Sequence, residues 1–262
     1  MNDFVLRERQ GATLVIRINR PDRRNAFDLE VREGIAQAVY EARDDDSVRA
    51  VIITGVDGIF CAGGDLKSLS EAKRPVFKDR DRIRRLHTWF RELVNLEKPV
   101  IAAVDGPAFG AGFNLALACD FVLATPRARF CAVFGRIGLV PDLGGFFLLP
   151  RIVGLQRAKD LVFSAREVDA EEARSLGIVM KVVPAEQLLD EALAMAAGYH
   201  DASTEALGIA KNILNRSFNL DQDTLAELEA SAQALALHTA YHDEAVANFL
   251  QKRPLRFPEG KK

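Results

Sequence analysis

Short apolar strands that alternate with glycine-rich loops constrain the fold of this chain more than any other feature. Residues 50–55 (AVIITG) and 99–106 (PVIAAVDG) are apolar almost throughout, which is typical of parallel strands buried on both faces. Each run leads into a glycine-rich loop, GVDGIFCAGGDL at 55–66 and GPAFGAG at 106–112. An apolar helix (FNLALACD) follows the second loop, and a further strand (FVLAT, 121–125) follows that helix. This order predicts an α/β fold built from βαβ units with right-handed crossovers.

The chain before these units predicts a hairpin and a helix. Residues 4–9 and 13–20 alternate apolar and polar side chains around Gly11, as the two strands of a hairpin do. Asp28 stands where an N-cap belongs, and the helix after it is predicted to extend to Arg43.

From Leu143 onward the sequence is predominantly helical. The change of character near residue 200 predicts a core, residues 1–200, and a C-terminal helical subdomain, residues 201–262. The helix predicted at 221–239 is rich in Leu and Ala, and it suits packing against a neighbouring subunit or, equally, against its own core. One strand is predicted at 177–183 (GIVMKVV), and helices are predicted at 143–153, 155–164, 169–176, 185–199, 203–217, 221–239 and 242–251.

Composition argues against several classes of partner. The net charge of −2 at pH 7 produces no long-range field for nucleic acid or an anionic membrane surface. No apolar run is long enough to span a bilayer, and residues 1–10 have no secretory or transit-peptide pattern. The three cysteines are scattered, as in a protein of the reducing cytosol. We therefore expect a cytoplasmic protein that binds neither nucleic acid nor membranes.

Common metal and cofactor motifs do not fit the chain. His238 and His242 have the spacing of helical metal ligands, but a HExxH glutamate and a third ligand nearby are missing. We expect solvated or interface histidines and no metal site. The sequence has neither a GxSxG nor a GxxxxGK[ST] motif, and the run at 106–112 is not GxGxxG. Neither a nucleophilic triad nor a dinucleotide site is expected.

A basic run at 73–87 (KRPVFKDRDRIRRLH) contains seven Lys or Arg residues. Such a run is most often the solvated face of a helix. This one also follows the first glycine loop closely, so some of its charges are candidates to meet the phosphates of a ligand that lies over the loop.

The two glycine loops predict a site for an oxyanion. Both follow predicted parallel strands and precede helices, which is where open α/β sheets bind ligands. Their backbone N–H groups can converge on one oxygen, and glycine lets a ligand approach the chain closely. Tight-turn chemistry explains either loop alone, whereas two loops of the same kind favour an oxyanion hole for a carbonyl.

A lone carboxylate stands in an otherwise apolar segment. Residues 135–151 (GRIGLVPDLGGFFLLPR) contain one acid, Asp142, between Pro141 and Leu143. An Asp after Pro and before an apolar helix is a good N-cap, and the residues alone favour that structural role.

Four ordered motifs resemble the crotonase (enoyl-CoA hydratase/isomerase) superfamily over essentially the whole chain. They are NRPDRRNAFD (19–28), FCAGGDLK (60–67), KPVIAAVDGPAFGAGFNLALACD (98–120) and GLVPDLGGFFLLPRIVG (138–154). The resemblance implies a crotonase (ClpP-like) fold of repeated ββα units, with a C-terminal helical subdomain that drives assembly into homotrimers or hexamers. It also implies acyl-CoA thioester substrates, with coenzyme A as part of the substrate and no other cofactor.

By motif position, the resemblance places an oxyanion hole and the coenzyme A contacts. The two N–H groups that hold the thioester carbonyl fall on Gly64 and Ala111, and the second begins a helix whose dipole would stabilise an enolate. The family's coenzyme A contacts, two of them from a neighbouring subunit, fall near Arg24, Ala26, Ala62 and Lys67 and, from the neighbour, Phe249 and Lys252.

Departures from the family pattern bear on the reaction. The family's hydratases use two glutamates as an acid–base pair, and this chain has Asn114 and Phe134 at those positions. The family's isomerases place a catalytic Asp at the position of Asp142. Among them is the ring-1,2-epoxyphenylacetyl-CoA isomerase branch, which this chain resembles most closely. The resemblance therefore favours Asp142 as a single proton shuttle over its role as a helix cap.

The expected reaction moves a double bond from Δ3 to Δ2, or rearranges an epoxy or ring acyl group, through an enolate. Apolar walls of the acyl pocket are expected to raise the Asp142 pKa and exclude water. Hydration through Asp142 alone is the main alternative, nucleophilic dehalogenation is a minor one, and a noncatalytic CoA- or RNA-binding protein is disfavoured. The residues expected in the pocket are Asn114, Phe134, Leu143 and Phe146.

Overall fold

The computed structural model describes residues 4–71 and 75–257. Its strands are β1 (Val5–Gln10), β2 (Thr13–Ile18), β3 (Ala50–Gly55), β4 (Val100–Val104), β5 (Pro107–Phe109), β6 (Phe121–Ala124), β7 (Arg129–Cys131), β8 (Glu167–Asp169) and β9 (Lys181–Val182). Its α-helices are α1 (Leu29–Asp44), α2 (Leu66–Glu71), α3 (Val76–Val94), α4 (Ala111–Leu117), α5 (Gly145–Val153), α6 (Leu155–Ser164), α7 (Ala170–Ser175), α8 (Leu188–Ala197), α9 (Thr204–Arg216), α10 (Gln222–Leu237) and α11 (Ala240–Leu250).

A six-stranded sheet, in the order β1-β2-β3-β4-β6-β9, carries the core. β1 and β2 form an antiparallel hairpin, and the later neighbours in the sheet pair in parallel. Val15, Ile52 and Ile101 pair across β2, β3 and β4 and pack against α8. The alternate residues face a larger core that includes α1 and α3. Burial on both faces explains the continuous apolar runs, and the prediction of a hairpin followed by buried parallel strands is confirmed.

Three short strands form a second sheet, in the order β5-β7-β8, which the sequence patterns do not predict. β5 pairs in parallel with β7, and β7 pairs antiparallel with β8. Each strand has three residues, too few for a two-residue period to be recognised. β5 lies inside the second glycine loop, so this sheet anchors that loop to the core.

Helices fill the C-terminal half, as the sequence predicts, with one correction. The strand expected at 177–183 is reduced to β9, because Gly177 has a φ of 79° and turns the chain. α10 and α11 contain no buried residue, and Leu235 and Leu250 on them are exposed. A division of the chain at residue 200 stays a prediction. Within residues 4–71 and 75–257, the helices are too short or too polar to cross a membrane.

Candidate active site

The two glycine loops lie side by side and are hydrogen-bonded to each other. The Cys61 N–H donates to the Pro107 carbonyl (2.9 Å), and the Phe109 N–H donates to the Cys61 carbonyl (2.9 Å). Gly63, with a φ of 97°, lies so close to this contact that a Cβ on it would come within 2.8 Å of the Phe109 oxygen. Glycine is therefore required at position 63 for its backbone conformation and for the close approach of the loops.

Two backbone N–H groups, on Gly64 and Ala111, are left for a ligand. Phe27 donates to the Gly63 carbonyl (2.7 Å) and accepts from the Asp65 N–H (2.9 Å). In such a parallel bridge the N–H of the residue between, Gly64, points away from Phe27. Ala111 is the first residue of α4, and the first N–H groups of a helix have no partner within it. Both residues line one cavity, so the structure brings the two expected oxyanion donors together.

Asp142 lies in the loop between a 3₁₀ turn (Val133–Ile137) and α5. Its backbone carbonyl accepts hydrogen bonds from the Asn114 side-chain amide (2.8 Å) and from the Gly145 N–H (2.8 Å). A Cβ on Gly145 would lie 2.6 Å from the Asn114 amide nitrogen, so the loop and α4 are in close contact. Asn114 thus fixes the position of Asp142 relative to the helix that begins at Ala111.

The Asp142 carboxylate does not cap α5, so the N-cap interpretation is wrong. Gly144 occupies the N-cap position, with no side-chain cap hydrogen bond. The Asp142 Oδ1 atom is buried and has no hydrogen-bond partner within the described part of the chain. Leu143 and Gly144 have positive φ values of 41° and 76°, which turn the chain between the acid and the helix. An oxygen without a partner in the protein is available to a ligand.

Burial raises the pKa of the Asp142 carboxyl above the usual value for aspartate. Interactions with Arg82, the Asp142 backbone N–H, His87 and Arg32 act in the opposite direction without cancelling this effect. A poorly solvated carboxylate is a stronger base than one on the surface, and its pKa lies nearer to the working pH of an enzyme. Asp142 is therefore suited to accept a proton and to return it.

Gly64, Ala111 and Asp142 line a single cavity of about 810 Å³. This volume is within the range of clefts that bind small molecules. The apolar residues of its wall are Phe27, Leu29, Ile83, Leu86, Phe134, Leu139, Val140, Pro141 and Leu143. The polar or charged residues besides Asp142 are Asp28, Glu30, Arg32, Asp65, Ser68, Asp79, Arg82 and His87.

The sequence motifs do not predict the part of the wall that α3 contributes. Its members share one face of the helix, at positions i, i+3, i+4, i+7 and i+8. A signal for this face is present in the basic run, where isolated apolar residues mark the buried side and Arg85 is exposed. Lys73 and Arg74, also in that run, lie outside the described residues. The face consists of Asp79, Arg82, Ile83, Leu86 and His87.

Two of the four residues expected in the acyl pocket lie in the cavity lining. Phe134 and Leu143 line the cavity with Asp142. Asn114 is buried behind the wall, with its amide on the loop backbone. Phe146 lies outside the cavity and is 63% exposed, so its assignment to the acyl pocket has no support in this structure and stays a prediction. The reason is helical geometry: the preceding residue, Gly145, faces Asn114, and the next one is directed about 100° further around the helix.

The residues expected to contact coenzyme A stand outside the cavity lining. The Ala62 N–H donates to the Arg24 carbonyl (3.1 Å), so two of them are neighbours. Phe249, near the end of α11, is largely exposed. Their roles toward coenzyme A stay predictions. The full set is Arg24, Ala26, Ala62, Lys67, Phe249 and Lys252.

The described residues show neither a group of metal ligands nor a reactive thiol at Cys61. Within residues 4–71 and 75–257, no group of three or more His, Cys, Asp or Glu side chains is arranged to hold a metal ion. Cys61, in the first glycine loop, is fully buried, and burial raises the pKa of its thiol to about 12. That thiol therefore stays protonated at neutral pH and is a poor nucleophile.

Residues 8–260 match the family model for enoyl-CoA hydratase/isomerase. The 1,2-epoxyphenylacetyl-CoA isomerase of Escherichia coli (strain K12) is 36% identical over 259 residues, which cover 98% of this chain and 99% of the relative. The short-chain-enoyl-CoA hydratase of Clostridium acetobutylicum is 34% identical over 256 residues, which cover 97% of each chain.

Solved structures show the same likeness. An enoyl-CoA hydratase/isomerase from Cupriavidus metallidurans CH34 superimposes with a TM-score of 0.93 at 42% identity, covering 99% of this chain and 98% of that one. An enoyl-CoA hydratase from Polaromonas sp. JS666 gives a TM-score of 0.90 at 35% identity, covering 95% and 97%. The crotonase fold expected from the motifs is confirmed, and the chain belongs to the enoyl-CoA hydratase/isomerase family.

Proposed function

We propose that this protein is an acyl-CoA isomerase that moves a double bond from Δ3 to Δ2, or rearranges an epoxy or ring acyl group, through a thioester enolate. One observation carries the proposal: Asp142 lines the cavity, and its Oδ1 is buried without a partner in the described chain. Because burial raises the pKa of this carboxyl, it is suited to both halves of a proton transfer.

In the proposed reaction the thioester carbonyl accepts hydrogen bonds from the Gly64 and Ala111 N–H groups. The ionised Asp142 removes a proton from C2, and the C–H electron pair is delocalised into a dienolate whose charge these N–H groups stabilise. The protonated Asp142 then delivers a proton to C4. A double bond conjugated with the thioester remains between C2 and C3. One carboxyl suffices if both carbons lie on the same face of the acyl chain.

Addition of water would call for a second acid–base group, and the two hydratase positions do not supply one. Asn114 uses its amide on the neighbouring loop backbone, and an amide does not exchange protons with a substrate. Phe134 contributes a buried apolar wall. Of the other carboxylates in the lining, Asp28 and Asp65 both pair with Arg20 at 2.9 Å, Asp79 pairs with Arg82 at 3.4 Å, and Glu30 is exposed. These features favour isomerisation over hydration.

Two assays on the same purified protein test the proposal. Isomerisation of 3-hexenoyl-CoA creates a conjugated thioester, and hydration of crotonyl-CoA removes one, so absorbance reports both. We expect kcat/KM for isomerisation to exceed that for hydration by at least ~100-fold, the usual contribution of a missing acid–base group. A 1,2-epoxyphenylacetyl thioester is assayed in parallel, because the Escherichia coli relative is named for it. Hydration that outpaces both rearrangements would overturn the proposal.

We also propose that the chain assembles into homotrimers or hexamers through α10 and α11. Neither helix buries a residue within the chain, and both expose leucines. Assembly would let Phe249 and Lys252 reach the coenzyme A of a neighbouring chain. Light scattering coupled to gel filtration should give three or six times the 28.9 kDa of one chain. A monomeric mass at micromolar concentration would contradict this assembly.

A further inference from the structure

α3 places an imidazole in the wall of the cavity. His87 lines the same cavity as Asp142 and is half-buried. Its ring meets the Phe90 ring edge-on, with centroids 6.2 Å apart. Phe90 in turn packs on the loop of the acid, since a side chain on Gly144 would collide with the Phe90 ring. The imidazole is thus anchored beside the loop that carries the carboxylate.

Three side chains act on the pKa of the Asp142 carboxyl: Arg82 and His87 from α3, and Arg32 from α1. The arginines keep their protons, because a guanidinium is not deprotonated in proteins. An imidazole, by contrast, gains and loses a proton in the neutral range. Of these three groups, His87 is the one that can pass a proton on.

We infer that His87 is the proton exit of this site: it accepts from Asp142 the proton taken from the substrate and exchanges it with solvent. The inference rests on the proposed function. The C2–H bond breaks and its proton joins the Asp142 carboxylate. That proton moves to a ring nitrogen of His87, directly or through one water, and then to bulk water. A solvent proton returns by the same route and forms the C4–H bond, so one proton leaves the acyl group and one is added.

The exit changes which proton reaches C4. The Asp142 Oδ1 atom is shielded from solvent, so a proton held on it returns to the acyl chain unless a neighbouring group takes it. With His87 beside it, exchange with solvent competes with return during the lifetime of the dienolate. His87 therefore decides how far the transfer is intramolecular, a property that a purely structural histidine would not influence.

Isotope retention tests the inference. 3-Hexenoyl-CoA with both C2 hydrogens replaced by deuterium is converted in H₂O and stopped at low conversion, and mass spectrometry counts the deuterium left in the product. We expect the wild-type protein to lose label, and the ratio of exchange to isomerisation to fall ~10-fold or more in His87→Gln. Arg85→Gln, an exposed position on the same helix, should behave as wild type.

A second variant keeps the test independent of folding and packing effects. In His87→Ala, added imidazole should restore label loss, whereas it should have no effect in His87→Gln, where the side chain fills the space. Full label retention in the wild type, or equal label loss in the wild type and His87→Gln, would overturn the inference.

Phenylacetyl-CoA in D₂O separates this inference from the proposed function. Its acyl chain has no double bond to move, and deuterium enters C2 only if an enolate forms and the proton exchanges. If deuterium incorporation depends on His87 but 3-hexenoyl-CoA is not isomerised, the role of His87 as proton exit is supported and the proposed isomerase function is overturned. Isomerisation with His87-independent incorporation would do the reverse.

Discussion

Two aspartates, Asp65 and Asp142, line the same cavity, and their pKa values are shifted in opposite directions. Burial acts to raise the pKa of Asp65, but N–H donors of Ser68 (3.2 Å) and Lys67 (3.0 Å) and the Arg20 guanidinium (2.9 Å) outweigh it, and that pKa is lowered. Asp142 has a buried oxygen without a partner in the described chain, and burial raises its pKa. Burial alone therefore does not make a base. A base results only where nearby donors and cations do not outweigh the effect of burial on the pKa.

The pKa shifts differ because the N–H groups of the two loops donate to different acceptors. At the start of α2, the N–H groups converge on the Asp65 side chain. Before α5, the nearby donors, Asn114 and Gly145, meet the backbone carbonyl of Asp142 instead. The second loop thus fixes the main chain of its aspartate and leaves the Oδ1 atom without a partner in the described chain.

The largest expected effect is on catalysis by Asp142→Asn. An amide cannot accept the C2 proton, so we expect kcat for 3-hexenoyl-CoA to fall at least ~10³-fold. The affinity for a saturated acyl-CoA, measured by calorimetry, should change little, because the oxyanion donors are main-chain groups. Asp160→Asn, an exposed residue paired with Arg166, serves as the control. Turnover above a tenth of the wild-type value would contradict the assignment.

Removing Arg20, the cation that pairs with Asp65 and Asp28, should have a large effect on stability. Arg20→Met leaves both Asp28 and Asp65 without their 2.9 Å ion pairs, and breaking such largely buried pairs costs about 3 kcal/mol. Urea unfolding measures the loss. Arg7→Met is the matched control, because the Arg7–Glu41 pair is exposed and should contribute less than ~1 kcal/mol. Equal losses would contradict the difference drawn between the two environments.

A smaller effect is expected from loosening the Asp142 loop. Asn114→Ala removes one of the two hydrogen bonds on the Asp142 carbonyl. We expect kcat to fall ~10-fold with KM nearly unchanged, since a displaced base is less well aligned with C2. Asn212→Ala, which removes a surface hydrogen bond to Glu97, is the control. A rise in KM at constant kcat would indicate a role in binding rather than in positioning.

The smallest expected effect is a gain in stability for Asp142→Asn. The folded-state pKa of Asp142 is raised, so its ionised form destabilises the fold at neutral pH, and the penalty is absent below the unfolded pKa. The variant should therefore have the higher Tm at pH 7–8, with the difference fading as pH falls, where each kcal/mol corresponds to about 2–4 °C.

Asp65→Asn should show the opposite sign in the same Tm series. The pKa of Asp65 is lowered by folding, so its ionised form stabilises the protein above the unfolded pKa. That contribution is lost as pH falls through the folded-state pKa, and the deficit of the variant should shrink there. A deficit of the same sign for both variants at pH 7–8 would contradict the comparison.

Local patterns predicted the elements whose formation depends on their own residues. The strand predicted at 50–55 and the helix predicted at 155–164 agree with β3 and α6 to the residue. Burial on both faces and helical periodicity are visible in the residues of the segment itself. Asp28 caps α1, with its side chain accepting from the Val31 N–H. The motif resemblance predicts a role for Gly64 in the site, and the structure places this residue in the cavity lining.

Features that depend on distant contacts were beyond the sequence patterns. The same Asp-before-helix pattern that gives a cap at Asp28 gives none at Asp142. There Leu143 and Gly144 add a left-handed turn, and Asn114, 28 residues earlier in the chain, holds the carbonyl. The α3 wall is not predicted for a similar reason, since its contact with the cavity depends on how the helix packs against α1.

The pH dependence of kcat/KM for isomerisation of 3-hexenoyl-CoA tests most directly whether the unpaired aspartate is the base. Asp142 must be ionised to remove the C2 proton, so the rate should fall as pH decreases through its raised pKa. The account predicts an acid limb centred above the ordinary aspartate value of about 3.9. A limb at or below that value, as a carboxyl with a lowered pKa like that of Asp65 would give, would contradict it.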